Sequence, residues 1–348
     1  MTGNPGLPRG ACSLAWRVFS NARLLFLRTS LALVLCGLLT QGGLSTRSGS
    51  GRGASLRELG YSELPLSKLR GDARYSGVFG VNGRPVRLLI DSGANSTDIN
   101  EPHATKVGLK PDSSVAVVSR GALGRPVKSR LGRGTFQIGP VWAEQFPFTI
   151  SPASERRTAT SRYAGQIGLD AMMASGSLID IPRGTIWVPP QERLSMEGRG
   201  ARRLGPRQDL GLKAVGLRPA GRFPHLIVES RVMGQRMTWI VDTGAEVSVL
   251  AQRSFDRLGL PSQATNAKMI DAAGDRIRVR AAQLPSVDFP GMQIRPFELI
   301  VAPLKNVQQV FKDGKGRPVD GIIGMDFLEQ SQSLLDPGSQ LLYLGLPQ

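Results

Sequence analysis

The sequence predicts a mostly β protein made of two tandem copies of one β domain with short helices. Three observations predict it. Glycine and proline are abundant, 42 and 24 of 348 residues, and apolar runs of strand length recur between these turn signals. The chain matches itself at a shift of 151 residues in its best-aligned stretch, the mark of a duplicated unit. Its length and 41% hydrophobic content suffice for two cores of ordinary size.

The copies are read in parallel. Gly83 falls on Gly234 and Asp91 on Asp242 at the shift of 151, while 165–170 matches 321–326 at a shift of 156. The second copy therefore carries extra residues, expected in the loop 312–318, because insertions belong on surfaces. In each copy a strand leads to a turn at Asn82-Gly83 or Met233-Gly234, and a buried strand over 86–90 or 237–241 ends on the aspartate. A helical turn is expected over 101–107 and 252–258, then Ala- and Gly-rich strands, then strands around Phe146 and Phe297. After a Gly-x-Ile-Gly element, a short helix is expected over 170–174 or 326–330 and a last strand over 185–188 or 341–344. The boundaries that follow are a prefix 1–56, a first domain 57–189, a linker 190–222 and a second domain 223–348, with the linker marked by its Gly, Pro and charged residues. Within it, 209–215 is apolar enough for a short element.

The prefix has the layout of an export signal. Arg9, Arg17, Arg23 and Arg28 precede the apolar stretch 31–39, small residues follow at Thr40, Gly42 and Gly43, and no acidic residue appears before Glu58. A membrane-spanning helix needs about 20 apolar residues, so a signal peptide fits better than a stable span, with an uncleaved signal anchor as the alternative. The expected location is exported, periplasmic or extracellular, with a membrane tether through this segment if it is retained. Residues 46–55, rich in Ser, Gly and Arg, read as a flexible tether.

Composition removes several chemistries. The only cysteines, Cys12 and Cys36, lie in the prefix, so the folded part offers no disulfide, thiolate zinc site or cysteine nucleophile. Two histidines, His103 and His225, leave little for a histidine metal site or a serine triad. No cofactor and no metal are expected. The net charge of +17 is scattered, concentrated in the prefix and in 193–222, and no run alternates basic residues with aromatics, so nucleic acid is not the expected partner.

The residues that carry chemistry are the two Asp-hydroxyl-Gly-Ala runs, Asp91-Ser92-Gly93-Ala94 and Asp242-Thr243-Gly244-Ala245. Each follows an apolar run at the same place in the repeat, and about 80 residues later each is followed by a glycine-flanked apolar element. Amide hydrolysis without metal or covalent intermediate needs a base to activate water and an acid to protonate the carbonyl oxygen or leaving nitrogen. Two carboxylates held together can do both, because they cannot both ionise readily and so share one proton. Gly93 and Gly244 permit a tight turn and close approach, and Ser92 and Thr243 can bond across the interface between halves. The alternative for each triplet is a turn in which the hydroxyl caps the following element.

On these residues the chain resembles the retropepsin-like aspartic peptidases, specifically relatives carrying the domain twice. The resemblance covers about 75–188 and 223–346. It implies two acid-protease barrels in a pseudo-two-fold arrangement and peptide-bond hydrolysis by a water held between Asp91 and Asp242. It assigns supporting roles to Ile167, Gly168, Ile323 and Gly324, which thread behind the catalytic loops, and a substrate-covering hairpin to each half. That hairpin is placed at 271–275, with Ala273 and Gly274, and at 119–126, with Gly124. Departures from the pattern are Gln166 for an apolar residue, Asn95 where retroviral enzymes carry an acid, a position at which the second copy has the acid Glu246, and Leu169 and Met325 where they carry arginine. The implied partner is a polypeptide substrate, and the implied assembly is an intramolecular pseudo-dimer, with homo-oligomers also open. Two other readings stay open: a catalytically inactive peptide-binding module of the same fold, and a peptidase whose halves pair between chains.

Overall fold

The computed structural model describes residues 16–19, 48–152, 162–190, 212–220, 223–294, 296–304, 307–308 and 318–345. In the first half, Tyr75–Val81 and Arg84–Ile90 form an antiparallel hairpin whose turn places Asn82 and Gly83 at φ 49° and 73°, the double positive φ that a two-residue hairpin turn requires. The second half repeats it with Phe223–Val232 and Gln235–Val241 about Met233 and Gly234, at φ 50° and 78°. Met233, an unusual residue in such a turn, sits exposed at its tip.

Each half then builds the same sheet. Gly165–Ile167 lies parallel to the end of the aspartate-bearing strand and antiparallel to Asp98–Asn100, which runs parallel to Val141–Ser151. The counterparts are Gly321–Ile323, Val249–Ala251 and Phe297–Ala302, paired in the same order. Two long hairpins complete the halves, Pro111–Arg120 with Pro126–Ile138 and Ser262–Asp271 with Arg276–Leu284. At the sheet edge, Trp16–Phe19 pairs antiparallel with the end of Ser262–Asp271. A third sheet of six strands is shared, joined where Leu178–Asp180 of the first half pairs with Leu334–Asp336 of the second. One hydrophobic core runs through both halves.

The fold class is borne out: mostly β, in two repeated halves. Helices form at Glu101–Lys106, Gln252–Leu258, Leu169–Ser175 and Met325–Gln330, within a residue or two of expectation. Two stretches differ from the sequence reading. Ser48–Glu58 is helical where 46–55 was read as a flexible tether, because Leu56 docks into a cluster with Trp187 and Tyr343 and offsets the poor helix propensity of its Ser and Gly residues. Inside the segment read as linker, Lys213–Gly216, overlapping the short element expected over 209–215, pairs with Leu341–Leu344, and Arg218–Ala220, which was not expected, pairs with Phe223–Val232. The apolar stretch 31–39 and nearly all of the loop 312–318 lie outside the described residues. Among the described residues no helix is long and apolar enough to cross a membrane.

Candidate active site

Asp91 and Asp242 sit just past the ends of Arg84–Ile90 and Gln235–Val241, fully buried, and face each other across the junction of the halves within one chain. Each is anchored twice by the backbone. The N–H of Asp91 donates to Ile167 O at 3.0 Å and that of Asp242 to Ile323 O at 2.9 Å. Oδ1 of Asp91 accepts from Gly93 N at 2.9 Å, and Oδ1 of Asp242 from Gly244 N at 2.8 Å. A Cβ on Gly93 would collide with the Asp242 carboxyl, and one on Gly244 with the Asp91 carboxyl. Glycine there is what lets the two carboxyls come within hydrogen-bonding reach. Among the described residues neither Oδ2 receives another protein donor, so a proton shared between the carboxyls is the partner this pair can supply.

The electrostatics favour one shared proton. Burial pushes Asp91 up to about 6, opposed by the hydrogen bond from Asp242 and by the nearby Arg74 cation. Burial and the negative charge of Asp91 push Asp242 well above the ordinary range. The pair titrates as a unit around one proton.

The hydroxyls lock the loops reciprocally. Thr243 Oγ1 accepts from Ser92 N at 2.9 Å and donates to Ile90 O at 2.9 Å; Ser92 Oγ accepts from Thr243 N at 3.0 Å and donates to Val241 O at 2.8 Å. All four bonds cross between the halves. Behind the loops, Leu169 N donates to Ala94 O and Met325 N to Ala245 O, so Gly168 and Gly324 lead straight into helices pinned to the aspartate-bearing turns.

Residues not singled out from the sequence complete the frame. Asp170 accepts from the Thr97 backbone and hydroxyl, and Thr97 Oγ1 in turn accepts from Gly168 N. Asp326, Ser248 and Gly324 repeat this arrangement. The buried Arg74 guanidinium grips Asp72 with two bonds of 2.9 Å and donates to Gly244 O at 3.2 Å. Its counterpart 151 residues on, His225, brings Nε2 to 3.1 Å from Gly93 O. Each aspartate-bearing turn is thus held by a side chain of the opposite half. Equal position in the repeat was the signal that could have found this pair; identity was not, since one is arginine and the other histidine.

The two hairpin turns meet. Gly124 and Gly274 adopt positive φ, 100° and 81°, and the buried Asp271 carboxylate accepts from Ala273 N and Asp275 N of its own turn and from Leu123 N of the other. Arg125 and Asp275 add an ion pair at 3.6 Å. Asp271→Ala should part the hairpins: amide exchange at Leu123 and Asp275 is expected to accelerate by about ten-fold or more, the scale of a lost charge-assisted bond. Unchanged exchange at Leu123 would show that the latch is elsewhere.

Comparison with known proteins agrees with the repeat. The family model described as aspartyl protease matches residues 79–171 and again 228–327. No curated protein matches. Among solved structures, the crystal structure of Basic 7S globulin from soybean aligns over 82% of this chain and 94% of its own, with a TM-score of 0.49 and 12% identity.

Proposed function

This chain belongs to the aspartyl protease family, and we propose that it is an active endopeptidase that hydrolyses peptide bonds with one water held between Asp91 and Asp242. The observation that carries the reading is the buried carboxyl pair, each member held by its own turn and set against the glycine of the other. In the reacting state Asp91 is ionised and takes a proton from the water. Asp242, protonated, hydrogen-bonds the substrate carbonyl and stabilises the oxygen as the water adds. The proton now on Asp91 then passes to the leaving nitrogen as the C–N bond breaks. The crossed Ser92 and Thr243 network keeps the carboxyls at fixed separation through both steps, which is the positioning such chemistry needs.

The pH dependence follows from the raised values. Below about 6 Asp91 takes up the second proton and no base remains, so activity should fall as pH falls through that value. At higher pH it should fall again as Asp242 ionises. Cleavage of unfolded protein substrates by the purified chain, followed from pH 3 to 9, should therefore be bell-shaped with an acid limb near 6. An optimum at pH 3–4 would contradict this assignment of charge, and no cleavage at any pH would leave a binding module as the better reading.

A further inference from the structure

Gly93 touches both carboxyls at once. Its N–H donates to Asp91 Oδ1 at 2.9 Å, and its Cα lies so near the other carboxyl that a Cβ there would overlap Asp242. Gly244 stands in the equivalent place, donating to Asp242 Oδ1 at 2.8 Å with the Asp91 carboxyl against its Cα. A shift of either glycine therefore changes the separation of the pair and weakens one of the bonds that orient it. Each glycine is steadied at its carbonyl by one side chain from the opposite half. Arg74 Nη1 lies 3.2 Å from Gly244 O, and His225 Nε2 lies 3.1 Å from Gly93 O.

The two clamps differ in charge, and the adjacent sequence accounts for the difference. Arg74 is a buried cation, and Asp72, two residues before it, neutralises it by accepting from Nε and Nη2, each at 2.9 Å. Two residues before His225 the sequence has Phe223. An arginine at 225 would be a buried cation lacking the carboxylate that Arg74 has, and an uncompensated buried charge is costly. Histidine, as fully buried as Arg74, supplies an N–H donor at the same place without requiring a charge. A carbonyl oxygen only accepts, so Nε2 carries the hydrogen. What the two positions share is thus a donor held beside the opposite glycine, and charge is not part of the shared feature.

We propose that His225 is a positioning residue of the reaction: by donating to Gly93 O it holds the glycine that spaces the two carboxyls and keeps the Gly93 N–H aimed at Asp91 Oδ1. This rests on the peptidase reading above and adds to it a residue that, being fully buried, works through the turn without touching substrate. Two consequences follow from the bond it protects. The Gly93 N–H favours the ionised form of Asp91, so slackening it raises Asp91 further, and the acid limb of the pH profile moves to higher pH. Substrate contacts are left in place, so kcat falls while KM hardly changes.

The test compares His225→Gln with His225→Met in the full chain. The two side chains match in length and differ chiefly in the amide, which can donate to Gly93 O. With casein as the unfolded substrate, kcat of the Gln chain is expected to exceed that of the Met chain by about ten-fold, the scale of one buried hydrogen bond, at similar KM. The acid limb of the Met chain should lie at higher pH than that of the Gln chain. Equal kcat, or a difference in kcat with coincident acid limbs, would show that the side chain only fills space and overturns the positioning role while leaving the peptidase reading intact. If the Met chain does not fold, the Gln chain is set against the wild type: an acid limb at the wild-type pH supports the donor role, and a limb moved upward overturns it. If the wild-type chain cuts casein in no manner that Asp242→Asn abolishes, both fall together, which is a different result.

Discussion

Asp242→Asn and Asp91→Asn should each abolish cleavage, with kcat lowered by about 10³-fold or more, because each variant removes either the acid or the base and leaves the other without its partner. The double variant should be no worse than either single one, since the two carboxyls act as one unit around one proton. Thermal unfolding supplies the control for collapse. Asp91 has a folded value of about 6 against about 3.9 in an unfolded chain. The folded state therefore holds this proton more tightly than the unfolded one. Its contribution to stability is greatest at low pH, is lost as pH rises from about 4 to about 6, and remains a constant cost above that. Asparagine carries no such cost. Asp91→Asn should thus be more stable than the wild-type chain at pH 7, by about 3 kcal/mol, and melt higher, with a smaller gap at pH 4. Loss of activity with gain of stability is the signature of a functional carboxyl held in an unfavourable place; loss of both would point to a structural role instead.

How much of this was legible in the sequence depends on whether a residue works through its local pattern or through its place in space. The strand ends, the Asn82-Gly83 and Met233-Gly234 turns and the four short helices were legible because hydrophobic period and turn chemistry are local. The aspartates and their hydroxyl neighbours were legible because the repeat doubled a short motif. Arg74 and His225 were not, since neither stands in a motif and their partners, Gly244 O and Gly93 O, lie far away along the chain. Thr97 and Asp170 form a bond that closes only when Gly165–Ile167 slides in beside Asp98–Asn100. Gln166 reads along the chain as a polar intrusion into an apolar run, and only the pairing registers show that it borders Asp98.

Arg74→Met should be the most destabilising single change in the frame, by about 3 kcal/mol, because it leaves the buried Asp72 carboxylate with only the partly exposed Arg162, 3.8 Å away, as a cation. Arg74 has no exposed side chain, bonds Asp72 through two nitrogens, lies over the Tyr163 ring with its guanidinium carbon 5.7 Å from the centroid, and approaches Glu246 to 3.9 Å. Tyr163 Oη, donating to Asp72 at 2.8 Å, cannot replace a charge. The sign with pH is definite. The hydrogen bonds and charge of Arg74 hold Asp72 well below the ordinary carboxylate range against the opposing effect of burial. Its contribution is therefore fully present above about 4 and is lost only as pH falls toward the depressed folded value. The stability gap between wild type and Arg74→Met should be full at pH 5–8 and shrink below about 4. Adding Asp72→Leu should recover a large part of the gap, since removing both charges from a buried site costs less than removing one. Activity should not return with stability in that double variant, because Gly244 O still lacks the donor that holds the Asp242 turn. A double variant that regained full kcat would show that Arg74 stabilises the fold without positioning the catalytic loop.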